Sequence, residues 1–344
     1  MFSRREFLRR SFLFALSSAL AACSPNATPT ANAPTATAQP TLTTPPLATS
    51  TRAATATRAP TASPTMTATP VSPSAGEPYL IVARGPSPSA ITRAAIDAIG
   101  GMSKFVEPGN DVILKPNICN AHNTFEYAST TNPEVLATLV KLCLEAGAKR
   151  VRVMDQPFSG TAAEAYKVSG IREAVEKAGG QMEVMSSAKF VVAEFKGRNI
   201  KSWHVYQDIL KADVVINVPI AKHHGSAQVT LAMKGLMGVI NNRNDIHTAL
   251  DQRIADLSTT IKPTLNVIDA VRVLTRNGPT GGRLDYVMQA NTIIVSHDPV
   301  AADGYATQLF FSKKPESIGY IKIGAEMGLG RYDFGNLRIK EVTA

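Results

Sequence analysis

The sequence predicts an α/β protein: a mostly parallel sheet covered by helices on both faces, built as one large domain or two lobes and preceded by a disordered tether. Three observations carry this. From Tyr79 onward, short apolar runs alternate with longer stretches of helical periodicity. The short runs are continuously apolar, as expected of strands covered on both faces. Before Tyr79 the composition is too poor in apolar residues to build a core.

Ser3 to Arg9 reads SRREFLR, with Arg4 and Arg5 ahead of Phe7 and Leu8, the pattern of a twin-arginine export signal. The apolar stretch from Phe12 to Ala22 is too short to span a bilayer, and it ends in Leu20-Ala21-Ala22-Cys23. This resembles a bacterial lipoprotein signal, which implies removal of residues 1–22 and lipid on the sulfur of Cys23. The expected partner is therefore a membrane, reached through that anchor. The expected location is the outer face of the cytoplasmic membrane or another membrane of the cell envelope. Residues 23–78 form the tether: from Ser24 to Pro78 there are 15 Thr, 13 Ala and 11 Pro, so burial cannot offset the entropy of ordering. A flexible segment of that length reaches roughly 40 Å.

The formal net charge is +9, but a net four of those charges precede Tyr79. The remainder is modest, no Lys/Arg run is interleaved with aromatics and there is one Trp, so nucleic acid is not expected as a partner. Beyond Cys23 there are two cysteines, Cys119 and Cys143, too few for a four-cysteine zinc site or a cubane cluster. A disulfide between them stays open. Cys143 reads as a small core residue beside Leu139 and Leu142.

In the folded part, residues 79–344, strands are expected at Tyr79–Arg84, Asp111–Lys115, Val151–Asp155, Val191–Phe195, Asp213–Val218, Leu265–Asp269 and Thr292–Ser296, with Leu337–Val342 at an edge. Helices are expected at Ser89–Ile99, Pro133–Ala146, Val229–Met237, Ile246–Thr260, Val300–Phe310 and Ser317–Glu326. Open parallel sheets bind ligands beyond the carboxyl ends of their strands. The polar residues there are Lys115-Pro116-Asn117, Asp155, Lys222-His223-His224, Asp269 and His297-Asp298.

The double histidine draws most attention. Lys222, His223 and His224 close an apolar strand and precede Gly225 and Ser226, where a backbone can approach a ligand. Neighbouring side chains in extended backbone point opposite ways, so one histidine of the pair faces a pocket. Lys234 lies in the apolar run TLAMKGLMGVI. Buried, it would have a lowered pKa and suit a base, an anion clamp or a covalent anchor; with its stem on the surface it would do none of these. Arg243 and His247 extend the basic set. Lys222, His224 and Lys234 are the candidate catalytic residues, and Lys115, Asn117, Arg243 and Asp298 the candidate substrate-binding ones. Asp298 before Pro299 also reads as a helix N-cap. His224 and His247 with a carboxylate such as Asp298 are a chemically possible metal set.

KPNIC at Lys115, TNPEV at Thr131, EAGAKRVRVMD ending at Asp155, INVPIAKHH ending at His224, Lys234, Arg243 with His247, IKPTLNVIDAV around Asp269, NGPTGG at Asn277 to Gly282 and HDPVAADG at His297 to Gly304 resemble, in order, domain of unknown function family 362. The resemblance runs from about Ile91 to Phe310 and implies an α/β fold with a conserved pocket. Ile220 stands where that family carries an earlier lysine. Some relatives hold cysteine segments and are labelled iron-sulfur proteins; this chain has none, so no such cluster is expected. A more distant similarity is to the lactate racemase family, which implies a nickel pincer nucleotide with His224, Lys234 and His247 in its histidine and lysine places. The glycine-glycine-arginine run of that family is missing between them.

Two readings of function follow. One is an exported enzyme whose Lys/His pocket takes a small anionic substrate, with His224 as acid or base near neutral pH. The other is a non-catalytic lipoprotein that binds a metal, cofactor or anionic solute at the envelope. A purely structural surface protein would leave the histidines without a purpose.

Overall fold

The computed structural model describes residues 76–344; the expected export signal at Arg4 and Arg5, the expected lipidation site Cys23 and the expected tether up to residue 75 lie outside the described residues. β1 (Leu80–Arg84) alternates between two apolar layers, Leu80 and Val82 in one, Ile81 and Ala83 in the other. α1 (Pro88–Ala98) starts where the Ser87 hydroxyl accepts the Ala90 N–H and proline takes the first position. β2 (Asp111–Pro116), α2 (Pro133–Glu145) and β3 (Arg150–Val153) repeat the unit. α3 (Ala162–Val168), opened by a Thr161/Glu164 capping box, α4 (Ile171–Lys177) and the short β4 (Gln181–Met182) follow. β5 (Phe190–Glu194) and β6 (Ser202–Tyr206) form a separate antiparallel pair, and α5 (Gln207–Lys211) leads to β7 (Val214–Val218).

Pro219 interrupts that strand, which resumes as β8 (Ile220–His224) and turns back into β9 (Gln228–Thr230) and α6 (Ala232–Gly235). Then come α7 (Arg243–Ile246), α8 (Leu250–Leu257), β10 (Leu265–Leu274), β11 (Val287–Ser296), α9 (Pro299–Phe311), α10 (Gly319–Glu326) and β12 (Ile339–Thr343).

The main sheet has the order β12-β1-β11-β10-β7-β2-β3-β4. Its neighbours are parallel except around β11, which is antiparallel to both β1 and β10. Ile91, Leu139, Tyr166 and Val175 of α1 to α4 cover one face, and Ile254, Val300 and Ile321 of α8 to α10 the other. The expected α/β architecture is therefore present, in one compact unit.

One local expectation is sharpened and one needs correction. The Lys-His-His run is a strand: β8 pairs parallel with β10 and antiparallel with β9, with Lys222 opposite Thr230 and His224 opposite Gln228. The helix expected over Val229–Met237 is confined to Ala232–Gly235, with a 3-10 turn over Leu236–Val239. β-branched Val229 and Thr230 are held in the hairpin, and Gly235 and Gly238 weaken further winding.

Candidate active site

Alternation along β8 sends Lys222 and His224 to one side and His223 to the other. Lys222 and His224 line a cavity of about 300 Å³ together with Asn117, Lys234, Arg243 and His247. His223 does not; its Nδ1 accepts the Gly278 N–H at 3.1 Å. A wider groove of about 570 Å³ near α2 and α4 is lined by Glu134, Lys141, Lys177 and Arg272 but by no buried ionisable side chain.

The basic groups are held in different ways. Lys222 is 1% exposed, and its ammonium donates to Asn117 Oδ1 at 3.0 Å, Ser129 O at 2.8 Å and Pro279 O at 3.0 Å. Lys115 donates to Asp155 Oδ1 and to Pro116 O, both at 2.7 Å, and the other Asp155 oxygen accepts the Ile118 N–H at 2.7 Å. Burial draws the Lys115 amine below its ordinary value and pushes the Asp155 carboxyl above its own, and their mutual contact opposes both shifts. Gly238 makes room for this pair: a Cβ there would lie 1.9 Å from Asp155 Oδ1. Arg243 donates to Gln156 O at 2.9 Å and Pro157 O at 2.7 Å, tying the loop after β3 to α7.

Lys234 is the exception. It is 9% exposed and, among the described residues, its amine has no hydrogen bond or ion pair. Burial, then the charges of Lys222 and Arg243, lower it to about 8. The helix that carries it is pinned by a residue of α9: at its amino end, buried Asp303 accepts the Ala232 N–H at 2.6 Å and the Met233 N–H at 2.9 Å. Burial also pushes Asp303 up to about 8.

His224 departs from its expected chemistry. Its Nδ1 accepts the N–H groups of Ser226 and Ala227, both at 3.2 Å, which assigns the proton to Nε2. Burial, followed by the nearby charges of Lys234 and Lys222, takes it down to about 3. It does not titrate near neutrality; it offers a fixed Nε2–H donor. Thr230 Oγ1 and Gln156 Oε1, on residues that also line the cavity, are buried without hydrogen-bond partners. Such orphaned groups call for a ligand or a water.

The cavity brings together Lys222, His224, Lys234, Asn117, Arg243 and His247, with Lys115 behind Asp155. It does not include Asp298. That carboxylate caps α9, accepting the Ala301 N–H at 2.8 Å, the Arg331 N–H at 2.9 Å and the Tyr79 hydroxyl at 2.5 Å. It lines a second cavity, of about 310 Å³, with His297 and Tyr79. The reason is the reversed strand: Ser296 lies opposite Asn266 at the start of β10, and Val287 opposite Leu274 at its end. The carboxyl end of β11 thus points away from the Lys/His cavity, and a substrate-binding role there for Asp298 is withdrawn. Asp269 is also structural, accepting the Asn132 N–H at 2.7 Å and the Val271 N–H at 3.0 Å.

His224 and His247 do share the cavity, but no third ligand joins them. Among the described residues no three His, Cys, Asp or Glu side chains are grouped to hold a metal ion, so a metal held by protein side chains alone does not fit. Cys119 and Cys143 are free thiols: Cys119 lines the cavity and donates to Pro279 O at 3.4 Å, whereas Cys143 sits in the core. Sequence reasoning passed over Asp303, Thr230, Gln156 and Cys119. For Asp303 a signal existed, an acid following Ala301-Ala302 in a helix too apolar to need one.

The chain is 26% identical over 206 residues to the Thylakoid-associated protein sll1697 of Synechocystis, covering 55% of this chain and 60% of that relative's length. Among solved structures it is similar to the lactate racemase apoprotein of Thermoanaerobacterium thermosaccharolyticum, with TM-score 0.40 and 14% identity over 72% of this chain and 56% of that one. It is also similar to a protein of Thermotoga maritima, with TM-score 0.36 and 11% identity over 71% of this chain and 60% of that one. The model of the domain of unknown function DUF362 matches residues 112–308, more than half of the sequence, and the chain belongs to that family.

Proposed function

We propose that the folded chain is an enzyme acting on a small anionic substrate in the Lys/His cavity, and that it works at the cell envelope, exported through Arg4 and Arg5 and anchored through Cys23. The observation that carries the site is Lys234, a buried amine without a partner in a cavity that already holds the charges of Lys222 and Arg243. The single carboxylate of the lining, Asp155, is engaged with Lys115. An anion therefore enters a field of unbalanced positive charge. Lys222 and Arg243 supply that field from fixed positions, Lys234 contacts the substrate, and the His224 Nε2–H and the Thr230 hydroxyl donate to its oxygens. A relative named for association with thylakoids suits a protein held at a membrane.

Calorimetric titration of small carboxylates and phosphates into the protein tests the reading. Binding that is lost in Lys234→Met and weakened in His224→Phe is expected; unchanged binding in both would remove the cavity from consideration. One observation favours a non-catalytic binding protein instead. The lining offers no free carboxylate base, and His224 is held neutral. Binding without turnover of any bound compound would support that alternative.

A further inference from the structure

Two ways of holding a lysine coexist in this cavity. Lys222 has three oxygen acceptors at 2.8 to 3.0 Å, and Lys115 has a carboxylate and a carbonyl, both at 2.7 Å. Those arrangements hold the amine of each in one place, as a fixed source of field requires. Lys234 has neither acceptor nor counter-ion and is nearly as deeply buried. Such surroundings favour the neutral amine, whose nitrogen keeps its electron pair.

We infer that Lys234 is a carbonyl-capturing nucleophile, and that the substrate is a small carboxylate bearing an aldehyde or ketone carbon which forms an imine with Nζ. This rests on the proposed anion site and names its substrate class. The Nζ electron pair forms a C–N bond to the carbonyl carbon while the C=O π pair moves to oxygen, and one N–H proton passes to that oxygen to give a carbinolamine. The C–O bond then breaks; the hydroxyl takes a proton from solvent at the cavity mouth, where His247 and Asn244 are exposed, and leaves as water. The product is a protonated imine plus water, with no oxidant or reductant involved.

The other lining groups fit this sequence. Lys222 and Arg243 supply the field for the carboxylate. The His224 Nε2–H, fixed because Nδ1 receives two backbone N–H groups, and the partnerless Thr230 hydroxyl are donors for the oxygen on which negative charge develops. Lowered to about 8, the amine is free in roughly a tenth of molecules near neutrality, against well under a thousandth for an ordinary lysine.

The test is reductive trapping. The full chain is incubated with glyoxylate, pyruvate or succinic semialdehyde, treated with borohydride and digested for peptide mass spectrometry. A reduced adduct concentrated on Lys234, absent from Lys234→Arg and suppressed in the unaltered protein by the matching hydroxy acid, which has no carbonyl, is the expected result. Adducts scattered over surface lysines, or none at all, would overturn the inference. Calorimetry with the hydroxy acid separates the two levels of argument. Carboxylate binding without a Lys234 adduct leaves the anion site standing and removes the imine; absence of carboxylate binding removes both. The competition arm needs no variant, so it holds even if Lys234→Arg folds poorly.

Discussion

The carboxylate of Asp303, in the middle of α9, accepts the backbone N–H of Ala232 at 2.6 Å and so fixes the first residue of the short helix that carries Lys234. The two residues are 71 positions apart. A four-residue helix has little stability of its own, so this contact, with the one to Met233, sets where the Lys234 amine sits.

Asp303→Ala is therefore expected to leave the sheet intact, lower stability by about 1–3 kcal/mol and reduce ligand affinity. Because Asp303 acts through Lys234, the readout that separates positioning from stability is the Lys234 pKa. It should move in Asp303→Ala when followed by NMR of labelled lysine.

Lys234→Met should abolish binding yet raise the denaturation midpoint. A buried amine with no partner is a burden on the fold, and an apolar side chain of similar length removes about 1–3 kcal/mol of desolvation penalty. A fall in stability would mean that Lys234 has a structural partner after all.

The pH dependence follows from the direction of each shift. The Lys234 amine stands at about 8 in the folded chain against 10.5 for an ordinary lysine, so between these values the unfolded chain binds more protons and stability rises with pH. Asp303 acts in the opposite sense: raised from 3.8 to about 8, it makes stability fall with rising pH across that interval. Urea titrations on either side of pH 8 should show a rise above it that Lys234→Met flattens. Simple carboxylates should bind more weakly as pH climbs through about 8, because the ammonium that attracts them is lost.

Gly238→Ala places a methyl group 1.9 Å from Asp155 Oδ1 and 2.8 Å from Lys115 Nζ, separating the buried pair. The expected loss is about 3–5 kcal/mol, close to that of Asp155→Asn, while the combined Lys115→Met, Asp155→Leu change should cost far less. Equilibrium unfolding of the three variants gives the comparison.

Much of this was legible in the residues themselves. Continuous apolar runs such as Val112–Leu114 and Val214–Val218 belong to strands covered on both faces, and Asn132-Pro133 and Asp298-Pro299 start the helices their chemistry favours. The direction of β11 was not, because an apolar run carries no arrow. The glycine- and proline-rich segment between β10 and β11, without helical periodicity, was the available sign of an antiparallel return. The alternation that faces Lys222 and His224 the same way could be read from spacing, but the partners of Lys222, at Asn117, Ser129 and Pro279, are joined only by folding. The neutral state of His224 likewise depends first on its burial and then on charges contributed by other segments, both of which exist only once the chain has folded.

The segment from Ala232 to Gly238 touches both cavities. Lys234, Gly235, Met237 and Gly238 face the one around His224, and Ala232 and Leu236 the one around Asp298. It is a party wall one helix thick. A fluorescent or fluorinated side chain at Leu236 would listen through that wall, reporting from the neighbouring chamber on any ligand that docks against Lys234.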